Sequence, residues 1–535
     1  MTSANKIAAI TFILFLALYG VHENASRLTA LERNDYQRLT GSSEISAFLS
    51  LLSHRYASAQ KINIATTALG KPVSALLVSS DMDPFKKGEP DADKLTVMLV
   101  GSQHGTESSG AEGLLLVARD VLDGTLGSYL DDMNLIFIPN SNPDGRDLKT
   151  RRNGNGVDIN RNYTRLSEPE SRGIINALHR WKPEVVLDVH GAAALKKKTL
   201  AKQGYLTDFE AQFEAANNPN VDRRIRDYSF GYLLPQILES VNRNGLPAQR
   251  YIKSIKSIHQ PVTHGSLSSG NLRNMAGVLG AFSFLLENRI DSPTGTYPTP
   301  QNIRVRVSKQ YIGITTFLNE CLTHRSEIMS ISRHARMKWK NSQNKEPLHA
   351  TFGYAADANK PVIVLPLKRI DTGAPETHTF PYQGTITSGS PLTPPPAYII
   401  SSHQDLIRDI LARHHVNYKE VKKNSTIGVR IKHIKSRIVE NVSDGRRRAK
   451  YDFKEHSADY LLRPGDMIVD LNQPTRRLIP LLLEFRSSDS IFNPDNYFSL
   501  VEEQKDFFVL PAEQFFHVDR PAPFEAVEML SSLIL

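Results

Sequence analysis

Apolar residues at Ile45, Phe48, Leu49 and Leu52 recur at the spacing of one helical stripe and predict an amphipathic helix over Glu44–Ser58. Lys61–Ala68 and Val73–Ser79 are rich in strand-forming residues and flank Gly70-Lys71-Pro72, the signature of a hairpin. A polar loop, Asp81–Lys94, follows. Beyond it, short and nearly continuous apolar runs at Leu95–Val100, Leu135–Ile138, Val185–Val189 and Ala281–Leu286 read as buried strands. Helical periodicity at Ala111–Leu122 and near Glu170–Trp181 separates the first three of them. Strands of this kind alternating with helices predict an α/β sheet covered on both faces. Ligands of such sheets sit beyond the carboxyl ends of the strands, which puts Gln103–Glu107, Asn140–Arg152 and His190–Gly191 along one rim.

After about residue 325 the pattern changes. Turns and prolines dominate as far as Pro391-Leu392-Thr393-Pro394-Pro395-Pro396. Strand-like segments at Pro361–Leu365, Ala397–Ser401 and Met467–Leu471, with a helix at Gln404–His414, predict a smaller packed α+β domain over residues 345–535. Its histidines (His403, His414, His415, His433, His456, His517) lack a ligand spacing with a carboxylate at a strand end, so it is expected to be a metal-free accessory domain. At the other end, Lys6 precedes the apolar run Ile7–Val21 and the polar His22-Glu23-Asn24. That is the shape of a secretory signal, and it is short for a span of about 20 residues. Residues 1–21 are expected to be a signal peptide or an uncleaved N-terminal anchor, making the protein exported, periplasmic or secreted.

Composition narrows the function classes. With 535 residues, 40% hydrophobic and 23% charged, the chain can bury a core unaided, and collagen-like, coiled-coil and polytopic membrane readings are excluded. The net charge of +9 is spread along the chain. Its densest basic runs, Lys196–Lys198 and Arg446–Arg448, lack interleaved aromatics, so they read as solvated faces and no nucleic-acid partner is expected. The single cysteine, Cys321, excludes an intrachain disulfide and reads as a core residue.

The candidate chemistry lies on the predicted rim. Leu95–Val100 runs directly into Gly101-Ser102-Gln103-His104-Gly105-Thr106-Glu107, where a histidine and a carboxylate three apart can reach one metal ion. A second strand ends in Asp188-Val189-His190-Gly191. Two histidines and one carboxylate with an open fourth position form the ligand set of a catalytic zinc site. Asn142-Pro143-Asp144-Gly145-Arg146 forms a sharp turn, followed by Arg151-Arg152-Asn153 and by Gly156-Val157-Asp158-Ile159-Asn160-Arg161-Asn162. Ala281–Leu286 ends in Glu287-Asn288-Arg289, where a carboxylate is either functional or paired, Arg289 being the simplest partner.

In this order, these segments resemble the zinc metallocarboxypeptidases of the carboxypeptidase A type, over about Lys61 to Arg289. The resemblance implies a mixed, mostly parallel sheet with helices on both faces and a catalytic domain over residues 35–325. It implies one Zn2+ per chain held by His104, Glu107 and His190, with Asp158 bonded to the first histidine. Asn160 and Arg161 would grip a substrate's terminal carboxylate, Arg151 (or its neighbour Arg152) would stabilise the oxyanion, and Glu287 would be the general base. Two departures stand out: no tyrosine occurs between Tyr251 and Glu287, where the family places a substrate-binding one, and the C-terminal region is large. His264 is near the tyrosine's spacing and is the candidate replacement. The long interval from His190 to Glu287 implies an inserted helical segment around Asp222–Asn244. The leading expectation is a metallocarboxypeptidase acting on peptides. A zinc deacylase or amidase acting on N-acyl amino acids or cell-wall peptides is the alternative, and a non-catalytic binding module the reading from another class. A membrane tether is expected only through the N-terminal segment.

Overall fold

The computed structural model describes residues 28–193, 199–290, 300–340, 346–356, 358–389, 391–441, 447–494 and 496–514. The expected export segment, the Lys196–Lys198 run and His517 lie outside them. Among the described residues no helix is long and apolar enough to cross a membrane.

Among the described residues, the first part of the chain holds the strands β1 (Ala59–Thr66), β2 (Pro72–Val78), β3 (Leu95–Gly101), β4 (Met133–Ile138), β5 (Val185–Ala192), β6 (Tyr205–Thr207), β7 (Ala211–Ala215), β8 (Ala248–Arg250) and β9 (Phe282–Arg289). All but β6 form one eight-stranded sheet in the order β1-β2-β4-β3-β5-β9-β7-β8. β4, β3, β5 and β9 run parallel at its centre, and β7 and β8 are parallel to each other. The β1–β2 hairpin, the β2–β4 pair and the β7–β9 pair are antiparallel. The sheet is therefore mixed and mostly parallel, as expected. Every residue of β3 and β4 is buried, which is why both strands read as unbroken apolar runs.

The helix expected over Glu44–Ser58 spans Ser42–Arg55, and its buried residues are the predicted stripe Ile45, Phe48, Leu49 and Leu52. It packs on β1, as does the helix Pro169–Trp181. Ser109–Leu122 packs against the long helix Pro300–Thr323 and against β3 and β5. The expected insertion contains the helices Arg223–Tyr228 and Leu234–Arg243. Cys321 is fully buried, as a core residue.

The C-terminal region is threaded into this framework. The strand Val362–Arg369 pairs with Pro375–Pro381 on one edge and with β6 on the other, in the register Leu367↔Thr207, Lys368↔Leu206 and Arg369↔Tyr205. Gln404–Arg413 is helical and delivers His414, whose Nε2 lies 3.0 Å from the Thr164 carbonyl oxygen. Its neighbour His415 stacks at 4.4 Å on His179 of the helix Pro169–Trp181.

Two of these imidazoles make the fold acid-sensitive. Burial, with the neighbouring histidines, pushes His179 down to about 3, and burial pushes His414 down to about 4. His179 Nε2 and His414 Nδ1 have no hydrogen-bond partner, so a proton there would be buried and unpaired. Both groups are neutral in the fold and take up protons near 6.5 once unfolded, so their stabilisation is intact above that pH and is lost as pH falls towards 4. Between pH 7 and 5 each is expected to cost about 1–2 kcal/mol. Urea midpoints at the two pH values check this. His414→Gln should flatten the dependence, and an unchanged dependence in that variant would count against the assignment.

Candidate metal centre

The loop leaving β3 is held under strain and at close quarters. Ser102 takes a left-handed φ of 54°, a backbone region that non-glycine residues rarely occupy outside functional turns. A Cβ on Gly105 would lie 2.0 Å from the Gly145 carbonyl carbon, so only glycine lets this loop press on the Asn142–Arg146 turn. The turn is built for support. Asn142 accepts from the Gly145 amide at 2.9 Å and donates to the Gln103 carbonyl at 3.1 Å. Asp144 accepts from the Thr67 hydroxyl and the Leu69 amide. Buried Arg146 pairs with buried Glu112 at 2.7 Å and donates to the Thr40 carbonyl.

His104, Glu107 and His190 converge on one buried point, with their candidate ligand atoms all within 4.8 Å of one another. His104 Nδ1 lies 2.9 Å from Glu107 Oε1, His190 Nδ1 lies 2.7 Å from Glu107 Oε2, and the two Nδ1 atoms are 3.2 Å apart. Two imidazole nitrogens this close, facing one carboxylate, are the donor set of a cation with a zinc-like preference for nitrogen and oxygen. Burial pushes the Glu107 carboxyl up, but His104 and His190 more than offset it and hold it well below the usual range. Burial pushes His190 down, and Asp188 and Glu107 carry it well above its ordinary value.

Each imidazole has its far nitrogen fixed. His104 Nε2 faces Asp158 Oδ1 at 3.2 Å, and His190 Nε2 faces Asp188 Oδ1 at 2.8 Å. Carboxylates so placed select the tautomer that leaves Nδ1 as the ligand and raise its basicity. Burial raises Asp158, while the His104 hydrogen bond and the nearby Arg151 charge bring it below the ordinary carboxylate range. Asp188 is fixed in turn by the Gln103 amide at 2.6 Å, and Gln103 accepts from the Tyr163 hydroxyl at 2.7 Å. Asp188, Gln103 and Tyr163 were not singled out from sequence. Asp188 stands two residues before His190, hence on the same face of β5, and that alternation was a usable signal.

Arg151 is brought to the cluster. Its Nε donates to Asp158 Oδ2 at 3.0 Å, its Nη1 lies 3.4 Å from Glu107 Oε1, and the side chain is 46% exposed, so its remaining donors can face a ligand. Arg152 instead bonds the Gly156 carbonyl. Glu287 lies inside β9, opposite His190 of β5 and Gln212 of β7. The apolar run predicted an earlier strand end, but β5 and β7 both continue and keep the β9 ladder paired as far as Arg289. Glu287 Oε2 is buried with no hydrogen-bond partner, and burial with the Glu107 charge pushes the carboxyl up to about 7. Arg289 does not partner it. That guanidinium pairs with Glu210.

Two expected substrate contacts are otherwise engaged. The Asn160 amide lies 3.1 Å from Asp188 and 2.9 Å from His190 Nε2, and its oxygen accepts from the Leu272 amide. Its nitrogen is thus held on Asp188 and its oxygen on the Leu272 amide, both within the protein. Arg161 of that pair is exposed, and its Nη1 donates to the Asn160 carbonyl oxygen. His264 is buried, with Nδ1 on the Tyr251 carbonyl at 2.8 Å and Nε2 on the Tyr382 hydroxyl at 2.6 Å. Chain spacing put it near the site, yet both nitrogens are committed within the protein. Tyr251 lines the cavity beside Glu287, where burial and the Glu287 charge push its hydroxyl up.

Residues 45–223 match the zinc carboxypeptidase family (Peptidase_M14). Carboxypeptidase 2 of Trichophyton equinum is 25% identical over 293 residues, which cover 51% of this chain and 50% of that one. The carboxypeptidase SOL1 of Arabidopsis thaliana is 28% identical over 123 residues, 20% of this chain and 25% of its own. The chain spans about half the length of the curated relatives from Arthroderma benhamiae and Trichophyton equinum that it matches. Among solved structures, the carboxypeptidase A of Helicoverpa armigera aligns with a TM-score of 0.42 and 18% identity, covering 54% of this chain and 75% of that one.

Proposed function

We propose that the chain, whose residues 45–223 match the zinc carboxypeptidase family, is a zinc metallocarboxypeptidase that hydrolyses the peptide bond beside a free C-terminal carboxylate. The observation that carries this reading is the convergence of His104, Glu107 and His190 beside Glu287, whose Oε2 is buried and unpartnered. Those three residues would hold a zinc ion, which would supply Lewis-acid chemistry for the scissile carbonyl and for the attacking water. Asp158 and Asp188 keep both imidazoles in the ligating tautomer. Glu287 Oε2 takes one proton from the attacking water as the C–O bond forms, and returns it to the departing nitrogen as the C–N bond breaks. Arg151 offers its remaining N–H donors to the oxygen on which charge develops. Arg161 grips the terminal carboxylate, for which a planar guanidinium is suited. We assign this chemistry to residues 35–325 and a supporting role to residues 345–535.

A peptide library with free or amidated C-termini, digested with and without a chelator and read by mass spectrometry, tests the reading. Single residues should leave the free C-termini, the chelator should abolish the release, and amidated peptides should react roughly a hundredfold more slowly. Equal rates on amidated and free peptides would overturn carboxypeptidase action in favour of an amidase.

A further inference from the structure

Between β8 and the helix Leu272–Val278, residues 251–271 form neither helix nor strand. Loops of that length within a packed fold are uncommon and usually functional. The C-terminal region holds this one at two places. The Val262 amide donates to the Pro381 carbonyl at 2.9 Å, and the Val262 carbonyl accepts from the Gln383 amide at 2.9 Å. Further along, Asp489 accepts from the Ser268 hydroxyl at 2.8 Å and the Ser269 amide at 2.9 Å. From outside the loop, the Asn218 side-chain amide donates to the same carboxylate at 2.8 Å. Asp489 is buried, and these three donors are all neutral. Burying a carboxylate on neutral donors is costly, so stability alone is a poor reason for it. What the carboxylate does is fix a geometry.

That geometry is the setting of Arg161. The Gly270 amide donates to the Ser268 hydroxyl at 3.0 Å, so the hydroxyl held by Asp489 also sets the turn. From there the loop clips the segment carrying Arg161 on both sides. The Tyr163 amide donates to the Gly270 carbonyl at 3.2 Å, and the Leu272 amide donates to Asn160 Oδ1 at 2.9 Å. Between the two clips, a Cβ on Gly270 would lie 3.4 Å from the Arg161 carbonyl oxygen, so loop and segment are in close contact. We infer that Asp489 is a positioning residue for the grip on the substrate's terminal carboxylate. It holds the turn at Ser268–Gly270, and the turn holds the backbone of Arg161. The inference rests on the carboxypeptidase reading and gives the C-terminal region a part in substrate binding.

Steady-state kinetics of the full chain, on one peptide with a free C-terminus and on its amidated counterpart, test it. Asp489→Asn keeps the shape but turns one acceptor into a donor facing the Asn218 amide, which the Leu267 carbonyl holds at 2.8 Å. KM for the free peptide should rise roughly tenfold with kcat within about threefold of wild type, because a carboxylate grip acts alike on ground and transition states. The amidated peptide has no carboxylate to grip, and its kcat/KM should change less than about twofold. Ser268→Ala, a milder change in the loop itself, should raise KM for the free peptide about threefold. Val429→Ala is the control for a purely structural effect. It trims a separate hydrophobic cluster shared with Ile399 and Leu510, and should lower the melting temperature without moving KM. A KM within about twofold of wild type in Asp489→Asn, or an equal rise in Val429→Ala, would overturn the positioning role and leave carboxypeptidase action standing. If Asp489→Asn does not fold, Ser268→Ala decides by the same criterion. Equal wild-type rates on the free and amidated peptides would overturn the carboxypeptidase reading itself.

Discussion

Glu287→Gln is expected to bind zinc at wild-type stoichiometry and to lose about a hundred- to ten-thousandfold in peptide hydrolysis, the usual contribution of a positioned proton-transfer group. The substitution keeps the side chain's shape and the backbone pairing of β9 with β5 and β7, and it touches none of the three clustered ligand candidates. What it removes is a basic oxygen. Oε2 has no partner in the fold, so its desolvation is compensated by nothing structural, and a carboxyl pushed up to about 7 is suited to accept and return one proton near neutral pH. An amide cannot accept that proton. Elemental analysis of the purified variant alongside hydrolysis rates separates loss of the base from loss of the metal. A variant with bound zinc and a rate within tenfold of wild type would remove Glu287 from the mechanism.

Much of the catalytic half was legible because its central strands are buried on both sides. Burial leaves little room for polar residues, so Leu95–Gly101 and Met133–Ile138 announce themselves as apolar runs. Side chains at the ends of such strands stand out for the same reason, which made His104, Glu107, His190 and Glu287 candidates, while their expected roles came from the ordered motifs of the resembled family. What chain spacing could not reveal was where a nitrogen points. His264 lies near an expected position, yet its ring is spent on Tyr251 and Tyr382. The second half hid its structure differently. The long hairpin of Ser425–Asn441 with Arg447–Leu462 carries charges on both faces. One of them, Lys432, is buried against Glu484. Ile427, Val429 and Ile431 alternate with glycine or polar residues, as do Tyr451 and Phe453, but the register shifts between Ile434 and Ser436, so the two short patterns do not mark one long hairpin. Asp489 carried no signal at all, because its partners are more than two hundred residues earlier.

A chain ending at residue 340 is expected not to fold, although every residue assigned to the chemistry would remain. Asp489 is a buried carboxylate that accepts from the Ser268 hydroxyl at 2.8 Å, the Ser269 amide at 2.9 Å and the Asn218 amide at 2.8 Å. It fixes the loop that runs into Gly270 and Leu272, against which Arg161 and Asn160 are set. Arg477 pairs with fully buried Asp222 at 3.1 Å and stacks 3.8 Å from the Trp339 ring. Removing one partner of such a buried pair costs about 3–5 kcal/mol, a large part of the roughly 5–15 kcal/mol that separates folded from unfolded states. Truncation would also leave β6 without its strand partner. It would strip the main core of Tyr398, Ile400, Leu482 and Phe485 as well. Together these losses exceed what a marginally stable fold tolerates. The full chain should unfold in a single transition by calorimetry, and the truncated one should be insoluble or show no transition. A soluble chain ending at residue 340 that melts cooperatively and holds one zinc would show that residues 345–535 are a detachable domain.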